Sequence, residues 1–454
     1  MPFISKNPAT EEVLATYPEI TPSELEAALA TAHRAWVEWR RTSFETRTAL
    51  VKKLGRALRE QSEELARLSA LEMGKPISAG RPEAEKCAWV CEYYAEKAEH
   101  ILAPEPIDTD ATKSFTRFDP LGIVLAVMPW NFPFWQVFRF AAPSLMAGNV
   151  GILKHASNVP QCALAIQKLF DEAGFPPGVF TNILLGSSRV STLIADPRIA
   201  AVTLTGSEHA GRSVGSAAGT ALKKSVLELG GSDPFIVLPD ADLDEAAAVG
   251  ARARLQNCGQ SCISAKRFIL HSAIANDFLV RFEAAFKSLT VGDPLQKETD
   301  IGPLATEPIR ADLDRQVSES IMKGALLLMG GKNREGPGFF YEPTILDGVT
   351  PDMPAYSEET FGPVAACIRV SSVEEAISVA NNSRFGLGAS VWTSDPALID
   401  TFVSELEAGC VFFNGMVKSD PRLPFGGIKQ SGYGRELSSA GIKEFVNVKT
   451  IWIK

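Results

Sequence analysis

From Gly122 onward the chain alternates short apolar runs with helix-length stretches, and this pattern limits the fold more than any other feature. Ile123–Met128, Val150–Leu153, Val179–Leu185, Ala200–Leu204 and Ser225–Leu229 have strand length, and all but the last are almost purely apolar. Between them lie the helix-like stretches Phe134–Leu145, Pro160–Ala173, Val190–Ala195 and Glu208–Ala218. Continuous apolar strands separated by helices mean βαβ units and a parallel sheet covered on both faces. Such sheets take ligands at the carboxyl ends of their strands. The residues to examine are therefore Pro129-Trp-Asn-Phe-Pro133, Lys154-His-Ala-Ser157, Thr205-Gly-Ser207 and Glu228-Leu-Gly-Gly231. Thr205–Gly211 is a glycine turn that opens a helix, an arrangement that offers N–H groups and a positive dipole to a phosphate.

The other regions are read around this one. The first hundred residues are expected to be mainly helical. Thr21-Pro22-Ser23-Glu24 has the form of a capping box with proline in the first turn. Leu25, Leu29, Ala32 and Trp36 follow at helical spacing. A second helix is predicted through Leu50, Leu54, Leu58, Leu65, Leu68 and Leu71 up to Gly74, and a third over Pro82–Ile101 with Cys87 and Cys91. All three are read as scaffold. Residues 103–117 are polar, and their alternation is too weak for a core strand. Asp233–Gly409 alternates again: Phe235–Leu238, Leu243–Leu255, Arg267–Leu270, Phe278–Leu289, Leu326–Met329 and Val364–Val370. The tail Val446–Lys454 alternates with period two and is expected to add to another sheet, across a subunit boundary.

A chain of 454 residues exceeds one hydrophobic core, so two or three domains are expected. A net charge of −9, with no run of basic residues, argues against nucleic acid as partner. No apolar run reaches membrane-spanning length, and the N-terminus has no signal pattern. Seven cysteines without such a signal point to reduced thiols in the cytoplasm. The five histidines (33, 100, 155, 209 and 271) have no metal-ligand spacing.

Leu255-Gln-Asn-Cys-Gly-Gln-Ser-Cys-Ile-Ser-Ala-Lys-Arg267 is the stretch where a reactive thiol is to be looked for. Cys258 and Cys262 sit in a small polar loop beside two cations, and a thiol becomes a nucleophile only as thiolate. Such a loop is compatible with structural cysteines or with a catalytic one.

Taken with Pro129-Trp130-Asn131, Gly206-Ser207, Glu228-Leu229-Gly230-Gly231, Glu359-Thr360-Phe361-Gly362-Pro363 and Pro424-Phe425-Gly426-Gly427, this loop resembles the aldehyde dehydrogenase family over essentially the whole chain. Within the family it most resembles succinate-semialdehyde dehydrogenases. The resemblance implies an α/β fold with a Rossmann-like parallel-sheet cofactor domain (1–102 and 120–229). It also implies a second α/β catalytic domain (230–430) and a small β oligomerisation element (103–119 and 440–454) of a homodimer or tetramer.

The resemblance implies Cys262 as nucleophile, Asn131 as oxyanion donor with the Cys262 N–H, and Glu228 as the base for thioester hydrolysis. For the cofactor it implies Trp130, Lys154, Ser157, Gly206, Ser207, Leu229, Glu359 and Phe361, with no metal. Relatives that prefer NAD often carry a glutamate where this chain has Ser157; a hydroxyl there accommodates a 2′-phosphate that a carboxylate would repel, so NADP is expected over NAD. Arg139, Ser419 and Trp135 are implied to bind a small aldehyde bearing a carboxylate, with Phe132 and Phe425 as tunnel walls. Gln256 departs from a second arginine found in many such relatives, which would weaken the hold on that carboxylate. The alternatives are other semialdehydes or neutral aliphatic aldehydes, an acylating enzyme using coenzyme A (which typically lacks the Glu228 base), a non-catalytic relative, and a metal hydrolase. Cys258 is expected either as a disulfide partner of Cys262 or as packing.

Overall fold

The computed structural model describes residues 2–454. The apolar runs form a six-stranded sheet in the order 432–433, 224–228, 199–205, 123–127, 150–154, 180–182. The sheet is parallel except for the Gly432–Tyr433 edge, which pairs antiparallel with Leu227 and Glu228. Its helices are Trp135–Ala147, Pro160–Ala173, Val190–Ala195 and Glu208–Thr220, close to the sequence-derived ranges.

A second sheet of seven strands runs 326–329, 344–347, 364–370, 265–271, 233–237, 388–392, 410–413. Side chains alternate across it as the period-two rule requires. Ile236, Ile269, Val364, Ala366 and Val391 feed one core, whereas Phe235, Val237, Phe268, Leu270 and Trp392 feed the core on the opposite face. Only its first pair is antiparallel, and Leu326 and Leu327 at that edge are exposed.

The structure departs from the sequence reading at four places. The leucine stripe of the second predicted helix belongs to two helices, Phe44–Glu60 and Ser62–Met73, with Gln61 at φ −101°, ψ 11° between them. The N-terminal segment forms a hairpin, Phe3–Lys6 with Val13–Tyr17, too short to outweigh its helical surroundings in a sequence reading. The third helix starts earlier, at Ile77, and accommodates Pro82 near its start.

The fourth difference is the tail. Val446–Ile453 pairs antiparallel with Lys113–Pro120 of the same chain across eight residue pairs, Glu105–Pro106 extending that sheet. The weakly alternating segment and the tail are each other's partner, which neither stretch reveals alone. Leu437, Ile442 and Phe445 just before it, and Val446 at its start, return to the core under the six-stranded sheet. No helix among the described residues is long and apolar enough to cross a membrane.

Candidate active site

The carboxyl ends of the parallel strands bring the predicted residues into one region. Asn131 lies in the turn after Ile123–Val127, Lys154 ends its strand, Gly206 and Ser207 follow Ile199–Thr205, and Glu228 ends Lys224–Glu228. Ser207 caps the next helix, its Oγ accepting the Ala210 N–H at 3.3 Å. The Lys154 ammonium is buried and has no hydrogen-bond or ion-pair partner among the described residues, and burial lowers its pKa. Ser157 is exposed three residues on. A desolvated, unpartnered cation, an exposed hydroxyl and a capped helix start fit a phosphorylated dinucleotide.

His155 locks two of these turns together. The Ala156 N–H donates to Nδ1 at 2.8 Å, so Nε2 carries the proton and donates to Pro133 O at 2.8 Å. Burial depresses its pKa to about 4, which keeps the ring neutral. Across the site, Glu359 Oε1 accepts the Gly231 N–H at 3.0 Å and lies 3.3 Å from Lys266 Nζ, while Phe361 meets Trp130 edge-on, 5.7 Å between centroids. Leu229 is buried, its N–H donating to Ser431 O at 3.0 Å.

The cysteine loop is strained. Asn257, Cys258 and Gly259 all adopt left-handed backbone, φ 54°, 58° and 74°; two of the three are not glycine, and such residues cost free energy unless their surroundings hold them. Part of that restraint comes from Asn257 Nδ2, which donates to Asn131 O at 2.8 Å and to Gln260 O at 2.9 Å. Asn131 Nδ2 donates to the same Gln260 O at 3.2 Å. The amide predicted as oxyanion donor is thus tied to the loop that carries the thiol. Gly231 is required by close approach, since a Cβ there would stand 2.5 Å from Cys262 O.

Lys266 Nζ donates to the carbonyls of Ser261 and Cys262 at 2.9 and 2.8 Å. Its charge draws the Cys262 pKa down, as does that of Arg139, yet burial outweighs both and the thiol is pushed up to about 12. Cys258 faces elsewhere. It is buried in a core of the seven-stranded sheet, and its sulfur accepts the Gly302 N–H at 3.1 Å. Cys262 packs against the core of the six-stranded sheet, so the arrangement favours the packing reading of Cys258 over the disulfide.

Glu228 is 2% exposed, and neither carboxyl oxygen has a hydrogen-bond partner among the described residues. Burial, reinforced by the like charge of Glu436, raises its pKa well above the usual carboxylate range, opposed by Arg139 and Arg435. Gly426 makes room for it, since a Cβ there would fall 2.7 Å from Glu228 Oε1.

A cavity of about 270 Å³ opens at Cys262. Its walls include Phe132, Trp135, Phe425, Arg139, Gln256 and Ser419, with Lys86 among them. Glu228 does not line it. Glu83, buried and ion-paired with Lys75, shapes one wall by accepting the N–H groups of Phe134 and Trp135 at 3.0 and 2.9 Å, which caps the helix start. Arg139 is 2% exposed, ion-paired with Glu436, and donates to Thr205 Oγ1 at 3.2 Å. It is therefore not free to give its whole charge to a ligand. Lys86, His155, Asn257, Glu83 and Glu436 were not singled out from sequence. Lys86 and Glu83 sat in a helix read as scaffold; only Asn257, in a Gln-Asn-Cys-Gly run suited to left-handed backbone, left a local signal.

A family model described as the aldehyde dehydrogenase family matches residues 2–451. A Synechocystis protein named "Probable succinate-semialdehyde dehydrogenase", NADP(+), is 54% identical, with 100% of each chain covered. A Mycobacterium tuberculosis protein named succinate-semialdehyde dehydrogenase NADP(+) 1 is 51% identical, again over 100% of both. The crystal structure of succinic semialdehyde dehydrogenase from Streptococcus pyogenes in complex with NADP+ superposes with a TM-score of 0.97 at 40% identity, covering 99% of each chain.

Proposed function

The chain belongs to the aldehyde dehydrogenase family, and from that premise we propose that it oxidises succinic semialdehyde to succinate with NADP, accepting NAD less well. The observation that carries this reading is the shared cavity: the Cys262 thiol and the polar groups Arg139 and Ser419 line one space walled by Phe132, Trp135 and Phe425. A nucleophile facing apolar walls and a cationic, hydroxylic wall suits an aldehyde that ends in a carboxylate.

In this reading Cys262 Sγ attacks the aldehyde carbon and forms a thiohemiacetal. Its oxyanion is held by Asn131 Nδ2 and the Cys262 N–H. Bound NADP would accept the hydride and, through its positively charged nicotinamide, favour the thiolate that Cys262 alone forms poorly. Loss of hydride leaves a thioester on Cys262. Glu228 then takes a proton from water, whose oxygen attacks the thioester carbon, expelling Cys262 as the thiolate and releasing the acid. The carboxyl must turn out of its niche behind Gly426 to do so. Lys154 and Ser157 would hold the adenosine ribose and its 2′-phosphate, Gly206 and Ser207 the pyrophosphate, and Glu359 the nicotinamide ribose. Trp130, Leu229 and Phe361 would pack around the dinucleotide.

The exposed apolar side chains Val448, Trp452 and Ile453 make the three-stranded sheet the surface for self-association, as a homodimer or tetramer. Seven free thiols suit the cytoplasm. The test is Glu228→Gln, which should give one burst of NADPH and a succinyl group on the Cys262 peptide by mass spectrometry. Steady turnover at the wild-type rate would overturn the proposed hydrolysis.

A further inference from the structure

Resting on the substrate reading above, the question is which group supplies the positive charge a carboxylate needs. Arg139 lines the cavity, but Glu436 offsets its charge. Lys86 differs. Its Nζ donates to Ser419 Oγ at 2.7 Å and lies 4.2 Å from the centre of the Trp135 ring, and all three residues line the cavity. Among the described residues it has no carboxylate within ion-pairing distance.

The acids whose fields reach Lys86 are already committed. Glu83 is paired with Lys75 and accepts two backbone N–H groups, and Asp420 is clasped by Arg422, with contacts of 2.8 and 2.6 Å. Arg139 adds positive charge beside it. Gln256 Nε2, also on the cavity wall, is buried without a hydrogen-bond acceptor. An uncompensated ammonium, a hydroxyl already oriented by it and an idle amide donor form an anion receptor that no internal group fills.

We propose that Lys86 is the specificity-determining cation of the cavity, binding the substrate's carboxylate together with Ser419, while Arg139 contributes hydrogen bonding rather than net charge. Burial lowers the Lys86 pKa to about 8, and an arriving carboxylate would reverse that penalty and keep the ammonium charged.

The test compares succinic semialdehyde with butanal, the same four-carbon chain without the carboxylate. Wild-type preference for the acid checks the substrate reading itself. Lys86→Met should then raise KM for succinic semialdehyde roughly 10- to 100-fold, the worth of a charge-assisted contact, with KM for butanal and the Kd for NADP unchanged and Lys86→Arg keeping most of the preference. Lys86→Gln, which retains a hydrogen bond to Ser419, carries the same expectation should the methionine variant not fold. Succinate binding to Cys262→Ala, measured by calorimetry, should weaken in parallel when Lys86 is also replaced. If wild type prefers the acid and Lys86→Met keeps that preference, the Lys86 assignment falls alone. If wild type shows no preference, the substrate reading falls first.

Discussion

Cys262 should be a poor nucleophile in the protein without cofactor, and the size of the effect follows from its surroundings. With its pKa pushed up to about 12 by burial, its thiolate fraction at pH 7.5 is about 3 × 10⁻⁵, against roughly a tenth for an unperturbed thiol of pKa about 8.5. That is a loss of about 3,000-fold in thiolate. Intrinsic nucleophilicity rises with pKa with a Brønsted slope of about 0.45, which over 3.5 units returns about 1.6 decades. The net expectation is a rate about 100-fold below that of a free cysteine. The assay is reaction with the neutral disulfide 4,4′-dithiodipyridine, with Cys262→Ala subtracted to remove the other six thiols. The pH dependence is the sharper readout: protons leave Cys262 only as pH approaches 12, so the rate should climb tenfold per unit through pH 9.5, where a free thiol has levelled off. A plateau below pH 9 would refute the balance of burial over Lys266 and Arg139.

Four further outcomes are expected. Ser157→Glu should move the NADP/NAD ratio of kcat/KM toward NAD by at least tenfold, because a carboxylate repels the 2′-phosphate; an unchanged ratio would remove Ser157 from the cofactor site. Asp233 is buried with its pKa raised to about 7, so between about pH 4 and 7 the unfolded chain has released a proton that the folded one retains, and stability falls as pH rises. Asp233→Asn should therefore gain on wild type across that window, by up to about 4 kcal/mol, and hold a constant margin above it, as read by urea melts at pH 5 and pH 8. Arg139→Ala strands Glu436 in the interior and should cost about 3–5 kcal/mol, most of it recovered when Glu436→Gln is added. Glu436→Gln alone removes the like charge that helps hold Glu228 protonated, so the alkaline-rising limb of thioester hydrolysis should shift to lower pH in single-turnover measurements.

Much of this was legible because the parallel strands announce themselves. Runs such as Ile123–Val127 and Val150–Leu153 are apolar on both faces, and once they are placed, the residues at their carboxyl ends are forced together. What stayed hidden depends on contacts between distant segments. Residues 113–120 look like a weak strand and the tail like a strand without a partner; their own patterns do not pair them, and only the family resemblance grouped them. The pairing of Arg139 with Glu436 joins residues almost three hundred positions apart, so an arginine at a site position read as wholly available to a ligand. Lys86 lies in a helix read as scaffold, and nothing local shows that its end reaches Ser419. The strain at Cys258 likewise appears only when the loop is folded, with Asn257 tied to Asn131.

The most direct measurement of the central claim is the initial rate with succinic semialdehyde, with NADP and NAD in parallel, no coenzyme A, and Cys262→Ala as control. NADP-linked turnover is expected, with a lower rate with NAD, weaker kcat/KM for butanal, and no activity without the Cys262 thiol. Turnover that favours butanal, or that survives Cys262→Ala, would contradict that claim.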